Sequence, residues 1–206
     1  MGMTTFAIAT ETAPVVHGPP QGHWTYADWE KLGADGNRYE IIDGVLYMTT
    51  APSSFHQWII QQLVEYIGIP VKRQGLAYAF PAPIGLLMTG SDPVQPDYVI
   101  VLKAHASIIH DRRIRGVPDA IIEILSPGNA TYDEETKLQA YEHAGVPEYV
   151  IIDPRSQTLR HYRRDTPSNF TTPRLIGSAE TFAFECLPTI RFQVSDLFAG
   201  APDTTV

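Results

Sequence analysis

One acidic residue stands inside the most apolar strand that the sequence predicts. Residues 121–125 read Ile-Ile-Glu-Ile-Leu, which places Glu123 in the middle of a predicted strand over residues 118–125. Burying an ionised carboxylate costs several kcal/mol unless it is paired or bound to a cation. The simpler alternative is an edge strand, or a pair with a core arginine or lysine. Because unpaired buried glutamates are rare, Glu123 is the strongest candidate for a functional residue.

A second carboxylate opens another apolar strand. Asp97 follows Pro96 and begins the predicted strand 97–102. If this strand is a neighbour of the Glu123 strand, the two carboxylates could converge on one hard cation, which prefers oxygen ligands. Taken alone, a Pro-Asp pair at a strand start is often a turn device. Asp97 is therefore a candidate metal ligand only in combination with Glu123.

A lysine lies in the helix predicted after the Glu123 strand. Lys137 precedes Tyr141 by one helical turn, so the two residues share a face of that helix. From there Lys137 could reach back over the strand to orient an attacking water or to neutralise phosphate charge. The alternative is a surface pair with Asp133, worth only a few tenths of a kcal/mol.

Three further residues are weaker candidates. Glu40 could complete a metal shell, or it could pair with Arg38 or Arg73. His56 is predicted on the inner face of a helix, where a histidine is more often a hydrogen-bonded core residue than a base or ligand. Ser126 follows the Glu123 strand, but no Gly-x-Ser-x-Gly elbow surrounds it, so a turn is the better interpretation.

The elements that would position these residues follow from periodicity and turn signals. A hairpin is predicted over residues 39–48 about Asp43-Gly44. Strands are predicted over 97–102, 118–125, 149–152 and 158–163, with short ones in 75–88 and around Arg174, Phe182 and Ile190. Helices are predicted over 25–32, from Ser53 or Ser54 to about Ile67, and from Asn129 or Thr131 to His143. The strand, helix and strand of residues 119–152 form a crossover, which predicts a mixed sheet.

Length and composition set the class of protein. A chain of 206 residues predicts one domain over 23–200, with a flexible arm over 1–22 and a tail over 201–206. A single cysteine excludes an internal disulfide, and no apolar run is long enough for a membrane span. With no secretory signal pattern, the expected location is cytoplasmic. The net charge of −8 argues against tight non-specific DNA binding, and the arginines at 112, 113, 115, 160, 163 and 164 are interpreted as solvated.

Several segments, in this order, resemble the Uma-two family of restriction-endonuclease-like proteins, within the PD-(D/E)XK superfamily. They are Tyr39-Glu40-Ile41-Ile42-Asp43-Gly44, the Ser-Ser-Phe-His of residues 53–56, Gln95-Pro96-Asp97, the run from Gly116 to Pro127 around Glu123, Lys137 with Tyr141, and Ala144-Gly145-Val146-Pro147-Glu148-Tyr149. The resemblance spans about residues 25–198. The superfamily lysine would stand two residues after the glutamate, where this chain has Leu125; a lysine displaced onto the next helix, as Lys137 is, fits the family.

The resemblance implies an α/β (α+β) fold of the restriction-endonuclease kind, a mixed central sheet flanked by helices. It implies a metal-dependent endonuclease in which Asp97 and Glu123, with Glu40 as a third candidate, hold Mg²⁺ or Mn²⁺. Asp97, Glu123 and Lys137 would be the catalytic residues, with His56 and Tyr141 as secondary candidates. The expected partner is nucleic acid, DNA before RNA, and the expected assembly is a homodimer. The alternatives are a catalytically silent module with the same fold and a hydrolase of small phosphoesters.

Overall fold

A computed structural model describes residues 3–4, 16–32, 38–49, 52–88, 93–126, 132–164 and 169–202 of the chain. Some predictions lie outside these residues. They are most of the arm over 1–22, the stretch 33–36 predicted to end the first helix, the helix start at Asn129 or Thr131, the turn after Ser126, and most of the tail. The first helix itself ends at Trp29, earlier than the predicted Leu32. The division into arm, domain and tail therefore stays a prediction.

The described chain contains fourteen strands and four α-helices. The strands are β1 (Met3–Thr4), β2 (Val16–His17), β3 (Arg38–Ile42), β4 (Val45–Thr49), β5 (Ala77–Pro81), β6 (Gly85–Leu87), β7 (Tyr98–Leu102), β8 (Arg113–Arg115), β9 (Ala120–Ile124), β10 (Glu148–Asp153), β11 (Thr158–Arg163), β12 (Arg174–Ile176), β13 (Thr181–Phe182) and β14 (Phe192–Gln193). The helices are α1 (Tyr26–Trp29), α2 (Ser54–Leu63), α3 (Ile69–Arg73) and α4 (Leu138–Ala144).

A six-stranded mixed sheet forms the centre of the fold, in the order β12-β11-β10-β9-β7-β5. Strands β9 and β10 are parallel, joined by the crossover that contains α4, and the other pairs are antiparallel. The predicted crossover and mixed sheet are confirmed. The last predicted strand is displaced, because residues 188–190 form a turn and β14 begins at Phe192.

The two faces of the sheet are buried against different layers. In β9, Ile122 and Ile124 belong to the core that contains α2, whereas Ile121 belongs to the core that contains Tyr141 of α4. Side chains alternate between faces along a strand, so Glu123 shares the α4 face with Ile121. The position of Glu123 in the strand therefore directs its carboxylate toward the helix that carries Lys137.

The predicted hairpin is present as β3 and β4, with Ile42 opposite Val45. Asp43 and Gly44 have φ values of 51° and 71°, the left-handed backbone that a two-residue hairpin turn requires. The backbone N–H groups of Gly22 and Trp24 both donate to the Gly44 carbonyl. A Cβ at residue 44 would lie 2.6 Å from the Gly22 oxygen, so this contact also requires glycine.

The long helix begins as predicted and ends later. Ser53 caps it by accepting a hydrogen bond from the His56 backbone N–H, and the predicted face at 56, 60, 63 and 67 is buried. A π-helical turn over Val64–Gly68 joins α2 to α3, so helical structure continues to Arg73. Pro70 lies in the first turn of α3, where a missing N–H costs little. None of the described helices has the length and apolar character that crossing a membrane requires.

Candidate active site

The Asp97 and Glu123 carboxylates each accept a hydrogen bond from a backbone N–H group in or next to the neighbouring strand. Strands β7 and β9 are antiparallel neighbours with Tyr98 opposite Ile122, which brings the two carboxylates together on one face of the sheet. The Asp97 N–H donates to Glu123 Oε2 at 3.3 Å, and the Ile124 N–H donates to Asp97 Oδ2 at 3.0 Å. Asp97 is 5% exposed and Glu123 is 1% exposed. The two predicted carboxylates are therefore adjacent, buried and held by backbone hydrogen bonds.

Lys137 and Tyr141 both donate to the same oxygen of Glu123. Lys137 Nζ lies 2.9 Å from Glu123 Oε1, and the Tyr141 hydroxyl lies 2.7 Å from that atom. A π-helical turn over Tyr132–Lys137 leads into α4, which places these two residues one helical turn apart. The lysine side chain is only 4% exposed, so the alternative of a surface lysine is wrong.

The β3–β4 hairpin brings Glu40 to the cluster. The Ile41 N–H donates to the Pro93 carbonyl, and the Gln95 N–H donates to Glu40 Oε1, so β3 is attached to the segment that leads into Asp97. The other Glu40 oxygen, Oε2, lies 3.4 Å from Lys137 Nζ. Glu40 is fully buried, and Lys137 therefore bridges two carboxylates.

His56 enters the cluster from the first turn of α2. Its Nε2 atom lies 3.4 Å from Asp97 Oδ1, and its side chain is 8% exposed. Its other ring nitrogen, Nδ1, is buried and has no hydrogen-bond partner among the described residues. All six residues named from the sequence, including the two secondary candidates His56 and Tyr141, thus lie in one cluster.

Sequence reasoning did not identify Arg38 as a member of the site. Its Nη1 atom lies 3.2 Å from Asp97 Oδ1, and its Nη2 atom donates to the Gln95 carbonyl. Arg38 had been considered only as a partner for Glu40, whereas its ion pair is with Asp97. The sequence does contain one indication of this. Residues two apart in a strand share a face, so Arg38 is expected on the same face as Glu40, which is itself a candidate site residue.

The protonation states follow from burial and charge. Burial opposes ionisation of Asp97, but His56, Lys137 and Arg38 outweigh it and hold the Asp97 pKa well below its ordinary value. For Tyr141, burial and then the negative charges of Glu123 and Glu40 raise the pKa well above its ordinary value. Tyr141 therefore stays protonated and remains a hydrogen-bond donor to Glu123.

The donor set of this cluster fits a hard divalent cation. Glu40, Asp97 and Glu123 face Lys137 and Arg38, so the carboxylates outnumber the permanently charged cations by one. Mg²⁺ is usually bound by one or two carboxylates, with waters and substrate phosphates completing its shell. In the described part of the chain, no three acidic, histidine or cysteine side chains are arranged as a ready metal-binding group. The fit thus rests on the Asp97 and Glu123 pair.

The remaining arginines and the cysteine lie outside this cluster. Arg113 pairs with Glu30 and covers the ring of Tyr26, and Arg160 pairs with Glu134, so these two are less solvated than predicted. Burial and then the charge of Glu148 raise the pKa of the Cys186 thiol, which disfavours thiolate chemistry there.

Comparison with known proteins identifies the family and the fold. The model of the Uma2 family, described as "Putative restriction endonuclease", matches residues 25–195. The chain belongs to the Uma2 family. A crystal structure described as "a putative nuclease belonging to DUF820 from Anabaena variabilis ATCC 29413" matches with a TM-score of 0.71 at 22% identity, covering 84% of this chain and 97% of that one. At that identity the likeness establishes the fold, which is the nuclease-like mixed sheet expected from the sequence. None of the curated proteins compared matches the chain.

Proposed function

We propose that this Uma2 protein is a divalent-metal-dependent nuclease that hydrolyses phosphodiester bonds, with DNA as the expected substrate. The single observation that carries the proposal is the buried, adjacent pair of Asp97 and Glu123, whose carboxylates accept hydrogen bonds from the backbone N–H groups of Ile124 and Asp97, respectively. The family description and the nuclease described for the structural neighbour support the same class of reaction. A homodimer and a cytoplasmic location stay predictions.

In this proposal Asp97 and Glu123 hold Mg²⁺ or Mn²⁺. When bound, the ion polarises the phosphodiester and lowers the pKa of a coordinated water. The backbone hydrogen bonds fix the two carboxylates before any ligand arrives, because each can rotate only by losing a bond to the other strand. Such preorganisation is what a site must supply to stabilise a developing charge.

Lys137 and Tyr141 fix the orientation of Glu123. Both donate to Oε1, while the Asp97 N–H donates to Oε2 at 3.3 Å, and in this proposal Oε2 is the ligand atom. Glu40 was expected as a third metal ligand, and we now assign it to Lys137, since it holds the lysine between two carboxylates. From that position Lys137 can orient a water close to Glu123.

The test compares cutting of supercoiled plasmid in Mn²⁺ by the wild-type protein, Glu123→Gln and Glu185→Gln. Glu185 is a matched control, because its carboxylate is 64% exposed and pairs only with Arg163 among the described residues. The wild type and Glu185→Gln should nick and linearise the plasmid, and Glu123→Gln should not. Equal cutting by a folded Glu123→Gln protein would remove Glu123 from the mechanism.

A hydrolase of small phosphoesters is the second candidate, because a net charge of −8 disfavours a polyanionic substrate. Incubation with a panel of nucleotides alongside the plasmid separates the two. Release of phosphate from nucleotides without plasmid nicking would favour the small substrate, and inactivity on both would favour a silent module.

A further inference from the structure

Arg38 differs from the other charged members of the cluster in its access to solvent. Its side chain is 21% exposed, whereas Lys137 is 4% exposed and Asp97 is 7% exposed. A polyanion approaching the site from solvent therefore meets the guanidinium before it can meet the ammonium group. Among the described residues of the cluster, Arg38 is the most exposed cation.

Arg38 also retains unused donors. A guanidinium has five N–H donors. One on Nη1 is directed to Asp97 and one on Nη2 to the Gln95 carbonyl, which leaves the second N–H of each Nη, while Nε is buried and has no partner among the described residues. Lys137, in contrast, already contacts both Glu40 and Glu123. If Lys137 turned to a phosphate, two buried carboxylates would lose their cation, at a large cost.

We infer that Arg38 contacts the phosphate backbone of bound nucleic acid directly and fixes it beside Asp97. This inference rests on the proposed function. It assigns the contact with the negative charge of the substrate to Arg38 and not to Lys137. The planar guanidinium matches two phosphate oxygens at once, a geometry that an ammonium lacks. Its bonds to Asp97 and Gln95 hold it in place, so little side-chain freedom is lost when phosphate binds. A local contact of this kind is needed on a chain whose net charge repels nucleic acid.

The experiment measures binding without cleavage. Glu123→Gln serves as the parent protein, and the fluorescence anisotropy of a short labelled DNA duplex is followed in Mg²⁺ at several salt concentrations. Arg38→Gln is added to this parent, with Arg163→Gln as the matched control. Arg163 is 49% exposed and lies opposite Glu148 at the start of β10, away from Glu123, which lies opposite Ile151.

Arg38→Gln should weaken duplex binding roughly tenfold or more, as expected for one charge-assisted hydrogen-bonding pair. It should also reduce the slope of log affinity against log salt by about 1. Arg163→Gln should match the parent. Unchanged affinity and slope in Arg38→Gln would overturn the inference while leaving the nuclease proposal intact. No duplex binding by either the parent or the metal-free wild-type protein would overturn both.

A second measurement covers the case in which Arg38→Gln fails to fold. The unmutated protein is treated with phenylglyoxal with and without the duplex, and modification of each arginine is quantified by peptide mass spectrometry. The duplex should protect Arg38 and leave Arg163 reactive. Equal modification of Arg38 in both samples would contradict the contact.

Discussion

Lys137 Nζ lies 2.9 Å from Glu123 Oε1, and both side chains are almost completely buried. The two residues are fourteen positions apart in sequence, on β9 and at the start of α4. The pair thus fastens the crossover helix to the sheet at the point where the metal ligands are proposed. Under the proposed function, the stability and the activity of this site depend on the same contact.

Removal of the buried lysine should destabilise the fold strongly. Lys137→Ala leaves Glu40 and Glu123 without their shared cation in a buried site, and breaking a buried pair in this way costs about 3–5 kcal/mol. Urea unfolding in the absence of divalent ions measures the change. The matched control is Lys31→Ala, since Lys31 also pairs with a carboxylate, Asp28, but is 74% exposed. Lys31→Ala should alter stability little, and equal losses in the two variants would contradict the account of Lys137 as a buried bridge.

The hydroxyl of Tyr141 should contribute more stability than an equally buried tyrosine hydroxyl elsewhere. Tyr141→Phe removes a donor to the charged Glu123, for which about 1.5–3 kcal/mol is expected. Tyr98→Phe removes a bond to the neutral carbonyl of Leu63, for which about 0.5–1.5 kcal/mol is expected. Both rings are fully buried and both are retained in the variants, so the stabilisation from ring burial cancels when the two substitutions are compared. A larger loss in Tyr98→Phe, measured by the same urea titration, would refute the assignment.

A buried carboxylate outside the cluster, Glu148, should make stability depend on pH. Burial would raise its pKa, but hydrogen bonds from His161 and from the N–H groups of Cys186 and Glu185 lower it below the ordinary value of 4.5. A carboxylate whose pKa is lower in the folded than in the unfolded protein stabilises the fold at pH values above its unfolded-state pKa. That stabilisation is lost as the pH falls through the folded-state pKa. Wild type should therefore exceed Glu148→Gln in stability near neutral pH, and the gap should narrow below about pH 4.5.

The control for this pH dependence is Glu185→Gln. This substitution removes an exposed carboxylate from the segment whose backbone N–H groups donate to Glu148. The unfolding free energy of the variant should change with pH as that of the wild type does. A gap between wild type and Glu148→Gln that stays constant from neutral to acidic pH would show that the charge of Glu148 contributes nothing.

Much of the site could be predicted from the sequence, because Glu123 is a charged residue in a strand that is otherwise apolar and therefore predicted to be buried. An acidic residue among four apolar neighbours is informative without any knowledge of the fold, and the apolar strand entered by Asp97 supplied the second carboxylate. Strand alternation and helix periodicity then placed Lys137 and Tyr141 on the correct faces.

The role of Arg38 could not be predicted with the same ease. It depends on attachment of the β3–β4 hairpin to the segment over 93–97, through bonds such as Ile41 N–H to the Pro93 carbonyl. Contacts of this kind join backbone groups that every residue type possesses, so no residue pattern marks them. The extension of the helix through Pro70 was missed for a similar reason, because a π-helical turn has no distinctive sequence.

Calorimetric titration of Mn²⁺ tests the central claim most directly, since it requires neither a substrate nor turnover. The account predicts saturable binding at one site per chain in the wild type and loss of that site in the Asp97→Asn, Glu123→Gln double variant. Weak binding to the many surface carboxylates should be the same in both proteins. Absence of a saturable site in the wild type, or an identical site in a folded double variant, would contradict a metal held by these two carboxylates.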